Sequence, residues 1–300
     1  MSSIMNRKFL FIIKDKKEGI PVKQNVLAAN HLLTAVNQIV NQPSKTLKEN
    51  EKLKVGIDLG TSSIVLVILN EGNEPVICLS EEAEVIKDGL IVNFSDTVQI
   101  VKRLKQQAES YLNRKLLSAA GAIPPQTMGN NKNAVGHVIE AAEMEVTQIF
   151  DEPEAAAAVL KVDNGAVIDI GGGTTGISIF EKGCPVYSAD EPTGGHHMSL
   201  VLAGSYQVGL AESETIKRDD NRKAQNFQIL RPVVEKMATI TQRFLIDYGK
   251  PVESLYLVGG ATMFPQFKKV FETIIGVETF KPLYPRYVTP TGIALLSQLF

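Results

Sequence analysis

The chain has 300 residues, 44% of them hydrophobic, and a formal net charge of −2. That size and apolar share suit one large or two modest domains with proper cores, and the charge gives no electrostatic case for nucleic acid or an acidic membrane. Two cysteines are too few for a disulfide framework or a metal site, and the apolar run at 9–13 is too short for a signal peptide or a membrane span, so the chain reads as a soluble cytoplasmic protein.

Residues 1–22 are mixed in character and read as irregular. Asn25 is placed to cap a helix through about residues 38–40, with Val26, Ala29, Leu33, Val36 and Val40 at helical spacing and Leu32 and Ile39 widening the stripe. A lone helix of that length is marginal in water, so the stripe needs a surface. Packing on the protein's own body, or on a neighbouring copy, is the favoured expectation. Docking on a partner, with the polar stretch 42–51 as a tether, is the alternative.

From Leu53 the pattern becomes strand, glycine turn, strand, glycine turn, strand. An apolar run ends in Asp58 and turns through Gly60, Thr61 and Ser62 before the strand at 64–69. A turn at Asp88-Gly89 separates short segments, and Ser95 or Asp96 caps a helix to about Arg114. Residues 117–123 read as a strand stopped by Pro124-Pro125, 133–143 as a helix and 146–150 as a strand. Glu152 then opens an alanine-rich helix at 155–161, where proline and acidic residues suit the first turn.

At about Ala166 the opening pattern recurs. An apolar run reaches Asp169, turns through Gly171, Gly172, Gly173 and Thr174, and alternates again at 177–180. Cys78 and Cys184 each follow the Pro-Val of a third strand, so both are expected as reduced, buried thiols in separate lobes. Gly194, Gly195, His196 and His197 open a helix through about Leu202, and Glu212, Glu214, Lys217 and Arg218 follow. Residues 227–248 mark one long amphipathic helix, 255–258 a buried strand running into Gly259-Gly260, and Pro290 the start of a final helix. Strands first and helices after, twice over, predict an α/β protein of two duplicated lobes with helices covering mixed sheets. The expected divisions are an extension at 1–50, a first lobe at 53–165 and a second at 166–289, with 290–300 returning to the first.

Glycine lets a turn adopt φ > 0 and lets backbone N–H groups approach a phosphate closely, while an aspartate at the turn's mouth can reach a metal on that phosphate. One such turn is also an ordinary hairpin; two facing copies suit a metal–triphosphate clamp. The order of motifs resembles the actin, DnaK-type chaperone and sugar-kinase superfamily. Residues 55–63 resemble its first phosphate motif, 152–156 its first connecting helix, 167–176 its second phosphate motif, 257–262 its adenosine motif and 292–294 the end of its second connecting helix. Residues 87–91 look like a segment of bacterial actins such as MreB. More narrowly, 187–191, 193–197 and 202–204 resemble the EutJ ethanolamine-utilisation proteins.

The resemblance implies an actin-like ATPase fold with reduced outer subdomains and a Mg²⁺–ATP or –ADP site. Asp58 and Asp169 would hold Mg²⁺, mostly through its water shell. Glu152 would orient or deprotonate the attacking water; its other reading is a helix cap. Gly60, Thr61, Ser62, Thr174 and the amides of Gly171, Gly172 and Gly173 would cradle phosphate oxygens. Gly194 and Gly195 would line the ribose, with Glu214 and Lys217 near its hydroxyls and Arg218 stacked on adenine. Gly259 and Gly260 would admit the α-phosphate and adenosine. A solvated helix face is the competing reading of Glu214, Lys217 and Arg218, and His196-His197 is taken as a helix-start or partner contact rather than a metal pair.

Met263 stands where chaperone relatives carry an arginine, Arg286 where they have an acid, and no first-lobe lysine matches their catalytic one. The implied function is a slow ATPase acting as a chaperone-like accessory in ethanolamine catabolism, with a protein client in that pathway or its microcompartment. A nucleotide-holding scaffold without turnover, like pilus-assembly or bacterial-actin relatives, is the alternative, and a small-molecule kinase ranks last. The N-terminal stripe also resembles the targeting helices of microcompartment cargo.

Overall fold

The structure is a computed structural model that describes residues 20–42, 51–83, 85–87, 90–125 and 130–300. The irregular start up to residue 19, the tether at 43–50 and the Asp88-Gly89 turn lie outside the described residues. Two five-stranded sheets share one strand order. In the first, β1 (Leu53–Leu59), β2 (Ser63–Asn70) and β3 (Pro75–Glu82) are antiparallel neighbours, and β6 (Ser118–Ile123) and β7 (Glu145–Asp151) continue parallel to β1. In the second, β8 (Gly165–Ile170), β9 (Thr175–Glu181) and β10 (Cys184–Glu191) repeat the antiparallel half, and β11 (Ser254–Val258) and β12 (Glu278–Phe280) the parallel half. A small hairpin, β4 (Ile86–Lys87) with β5 (Leu90–Ile91), stands apart from both.

The helices fall into three layers. The first sheet packs outward on α2 (Phe94–Leu112) and α3 (Asn130–Ala141). The second packs outward on α5 (Gly195–Tyr206), α7 (Lys223–Tyr248) and α8 (Phe267–Ile275), with α6 (Leu210–Arg218) beside α5. Between the sheets lie α1 (Ile20–Gln38), α4 (Glu152–Leu160) and α9 (Val288–Leu296). This explains why β2 is apolar throughout. Ile64, Leu66 and Ile68 face the α2 side while Val65, Val67 and Leu69 face the middle layer, so both faces of the strand are covered. The two central helices pack backbone to backbone. A Cβ on Gly292 of α9 would overlap the Ala155 carbonyl of α4, and α9 also lies on β1, where Gly56 meets the Ala294 backbone.

The N-terminal helix packs on the protein's own body. Val26, Ala29, Leu33, Val36 and Ile39 are buried in the middle layer. Asn41 closes over the edge of β3, its N–H donating to Cys78 O at 2.8 Å and its side chain bonding Ser80 in both directions.

Several sequence expectations need correcting. α1 starts at Ile20, with Pro21 in its first turn, and not at Asn25, whose Nδ2 instead donates to Lys161 O at 3.1 Å. α2 is capped by Asn93, which accepts from Asp96 N at 3.1 Å, rather than by Ser95 or Asp96. Residues 210–218 form a helix of their own. Cys184 is exposed while Cys78 is buried, because α1 and Val40 cover β3 and the outer end of β10 stays open.

Candidate functional site

The two strands that carry aspartate at their penultimate position, β1 with Asp58 and β8 with Asp169, stop at equivalent turns. Gly60 N donates to Ser63 O and Gly171 N to Thr174 O, both at 3.1 Å. The turns face each other across the space between the sheets: a Cβ on Gly172 would meet Thr61 Cβ at 3.0 Å and crowd Ser62 Oγ. Below them runs a cleft of about 310 Å³ lined from both lobes by Asp58, Gly60, Thr61, Ser62, Glu152, Asp169, Gly171, Gly172, Gly173, Thr174, Gly195, Glu214, Lys217, Arg218, Gly259 and Gly260. Of the residues singled out in the sequence, Gly194, His196 and His197 are outside this lining.

Three acids share the floor. Asp169 is 7% exposed, and Thr289 donates to its Oδ2 at 2.6 Å. Burial raises the Asp169 carboxyl, with the Thr289 bond opposing. Burial, and secondarily the Asp169 charge, lifts Asp58 from 3.8 to about 7. Burial, then Asp169, Asp58, Asp190 and Asp151, lifts Glu152 well above the usual carboxylate range. Three carboxyls that burial makes easier to protonate therefore sit where both turns converge. Among the described residues no group of three His, Cys, Asp or Glu side chains is spaced to hold a metal directly.

The second lobe closes one side. Gly195 N donates to Gly171 O at 2.9 Å and His196 N to Gly172 O at 2.7 Å, fastening the start of α5 to the second turn. Gly194 sits behind that turn, where a Cβ would meet Gly172 O and Gly173 C at 2.7 Å. Lys217 Nζ donates to Gly195 O at 3.0 Å, Ser199 Oγ at 2.6 Å and Glu214 Oε1 at 2.7 Å, using all three of its protons to hold α6 on α5. Glu214 Oε2 is buried without a hydrogen bond, 3.6 Å from Arg218 Nη2. Arg218 also pairs with Glu82 at the end of β3, crossing from one lobe to the other, so its guanidinium is engaged at the mouth of the cleft. His196 lines a wider chamber of about 1090 Å³ that shares Thr61, Ser62, Gly173, Glu214 and Arg218 with the cleft.

The far wall is the loop after β11. Gly259 has φ of 88°, and a Cβ there would overlap Asp169 Oδ1 and Ile170 O, so only glycine fits. Gly260 opens a 3-10 turn whose Thr262 and Phe264 carbonyls accept from Lys281 Nζ at 3.0 and 2.9 Å. Arg286, Met263 and Phe264 line the same end. Sequence reasoning missed Thr289, Ser199 and Lys281, which support this site from elements far along the chain.

Comparison with known proteins agrees with this geometry. The family model of the cell division protein FtsA matches residues 166–294, and that of MreB/Mbl protein matches residues 80–204. The Ethanolamine utilization protein EutJ of Escherichia coli (strain K12) is 37% identical over 264 residues, covering 88% of this chain and 91% of that protein. The crystal structure of ethanolamine utilization protein EutJ from Carboxydothermus hydrogenoformans is 42% identical, with a TM-score of 0.85, over 91% of this chain and 100% of that one. MreB5 of Spiroplasma citri bound to ADP shares the fold at 16% identity, with a TM-score of 0.64, over 81% and 95% of the two chains. The expected fold, an actin-like ATPase architecture of two duplicated lobes, is the one observed. Among the described residues no helix is long and apolar enough to cross a membrane.

Proposed function

The chain belongs to the EutJ family of ethanolamine utilization proteins, and from that premise we propose that it binds Mg²⁺–ATP or –ADP between its lobes and works as a slow ATPase. The observation that carries this reading is the pair of glycine turns facing each other above Asp58 and Asp169. The lobes that would close on nucleotide are residues 53–165 and 166–289, with 1–50 as an extension and 290–300 rejoining the first. Support for a nucleotide also comes from the ADP in the structure of MreB5.

The donor set fits a cation. The charge on Asp169 adds to burial in raising the proton affinity of Asp58, and a positive ion between the two carboxylates relieves both costs. Held by these two, mostly through water, Mg²⁺ would supply charge neutralisation at the phosphates. Thr61, Ser62, Thr174 and the amides of Gly171, Gly172 and Gly173 would hold phosphate oxygens. Glu214 Oε2, a buried acceptor without a donor, would take a ribose hydroxyl. Glu152, with its high proton affinity, suits removal of the proton from the attacking water. Lys217 acts by holding Glu214 and α5 rather than by touching the ribose itself.

In the cell this ATPase would serve as a chaperone-like accessory of ethanolamine catabolism and its microcompartment, acting on a protein client. A nucleotide-holding scaffold without turnover is the second reading, favoured by the absence of lysine or arginine among the described first-lobe residues lining the cleft. Phosphate release from Mg²⁺–ATP separates the two: release abolished in Asp169→Ala supports the ATPase, whereas tight binding without release supports the scaffold. Co-purification from cells grown on ethanolamine tests the client, and recovery of no pathway or microcompartment protein counts against that part.

A further inference from the structure

We propose that Thr289 is a positioning residue that ties the Asp169 carboxylate of the second lobe to the helix clamped on the first, so that the setting of Asp169 follows the angle between the lobes. Asp169 is the penultimate residue of β8 in the second sheet, paired with Val258 of β11. Thr289, 5% exposed, lies in the first turn of α9 and donates to Asp169 Oδ2 at 2.6 Å. Past this point α9 belongs to the first lobe. Gly292 is pressed on the Ala155 backbone of α4, Ala294 lies on Gly56 of β1, and Leu295 O accepts from Lys54 Nζ at 2.9 Å. Within seven residues one helix thus runs from the second lobe's acid to the central strand of the first sheet.

The other side of Asp169 is fixed to its own lobe. Gly259 leaves no space beside Oδ1, and its N–H donates to Pro285 O at 3.0 Å. A rotation of the first lobe carries α9 with it as a packed body, and the Thr289 hydroxyl delivers that movement to one carboxylate oxygen. Valine keeps the shape of threonine without the donor; serine keeps the donor. The functional consequence of the tether rests on the nucleotide reading above, but its geometry does not.

The test uses the full chain as wild type, Thr289→Val and Thr289→Ser. Calorimetric titration with ADP is run in Mg²⁺ and in EDTA. Valine is expected to weaken Mg²⁺–ADP binding by about tenfold or more, the loss of a hydrogen bond to a charged group. It should leave metal-free ADP binding unchanged, and serine should restore the wild-type value. Wild-type affinity in Thr289→Val, or no rescue by serine, overturns the proposal. Hydrogen exchange of the nucleotide-free proteins gives an independent arm. In Thr289→Val, exchange should rise together through residues 167–171 and 288–294, and in Thr289→Ser it should not. A rise in one segment alone, or in neither, overturns the tether. If the wild type binds no nucleotide, the reading of the site fails, and this exchange pattern alone decides the tether.

Discussion

Replacing Asp58 by asparagine should make the nucleotide-free protein more stable while removing its Mg²⁺-dependent binding. The Asp58 carboxyl is lifted from 3.8 to about 7 by burial and by Asp169. At ~1.4 kcal/mol per pH unit of displacement, keeping it ionised in the empty cleft costs at most about 4 kcal/mol. Its oxygens still face the cleft, and water there reduces the cost to roughly 1–3 kcal/mol. The pH dependence has a definite sign. Between 3.8 and about 7 the folded protein holds a proton that the unfolded chain has released, so stability falls as pH rises through that window and stays lowest above it. Asparagine removes the penalty. At ~2–3 °C per kcal/mol for a chain of this size, the variant should melt roughly 2–9 °C higher at pH 8 in EDTA. Near pH 4 the advantage should vanish, because Asp58 is then protonated when folded. Thermal unfolding followed by circular dichroism at both pH values reads this directly. A variant no more stable than wild type at pH 8, or equally favoured at both pH values, would refute the reasoning.

Glu152→Gln should leave Mg²⁺–ATP binding intact and cut phosphate release by about 100-fold or more, the usual size of a lost general base, as read in a single-turnover assay. Gly292→Ala should cost at least about 3 kcal/mol in denaturant unfolding, because the added methyl meets backbone rather than a movable side chain. Leu33→Ala should cost roughly 2–5 kcal/mol by the same assay, since Leu33 is fully buried in the middle layer; a near-zero effect would instead mean that α1 is free to dock elsewhere.

The paired glycine turns are legible in the sequence because each is written locally. An apolar strand, an aspartate and a run of glycines and hydroxyls lie within ten residues, and the second copy repeats the first. The same repeat foretold two sheets of one topology. What stayed hidden depends on long-range meetings of single polar residues. Thr289 reaches Asp169 across 120 positions of chain, and Lys281 supports the loop after β11 from beyond β12. Neither residue has a local pattern to mark it. The cap of α2 was missed because Asn93, Ser95 and Asp96 are all good capping residues and only the geometry selects the first. Cys184 was misjudged because the repeat equates it with Cys78, although only β3 gains the cover of α1 and Val40. The pairing of Arg218 with Glu82 of the opposite lobe is equally hidden, a contact between residues 136 positions apart.

In the proposed complex a Mg²⁺–nucleotide sits between the lobes on Asp58 and Asp169. Isothermal titration of the full chain with ADP in Mg²⁺, repeated on Asp169→Ala, tests it most directly. One nucleotide is expected per wild-type chain and none in the variant, whose circular dichroism spectrum and cooperative unfolding are retained. No binding by the wild type, or the same affinity in a folded Asp169→Ala, would contradict it.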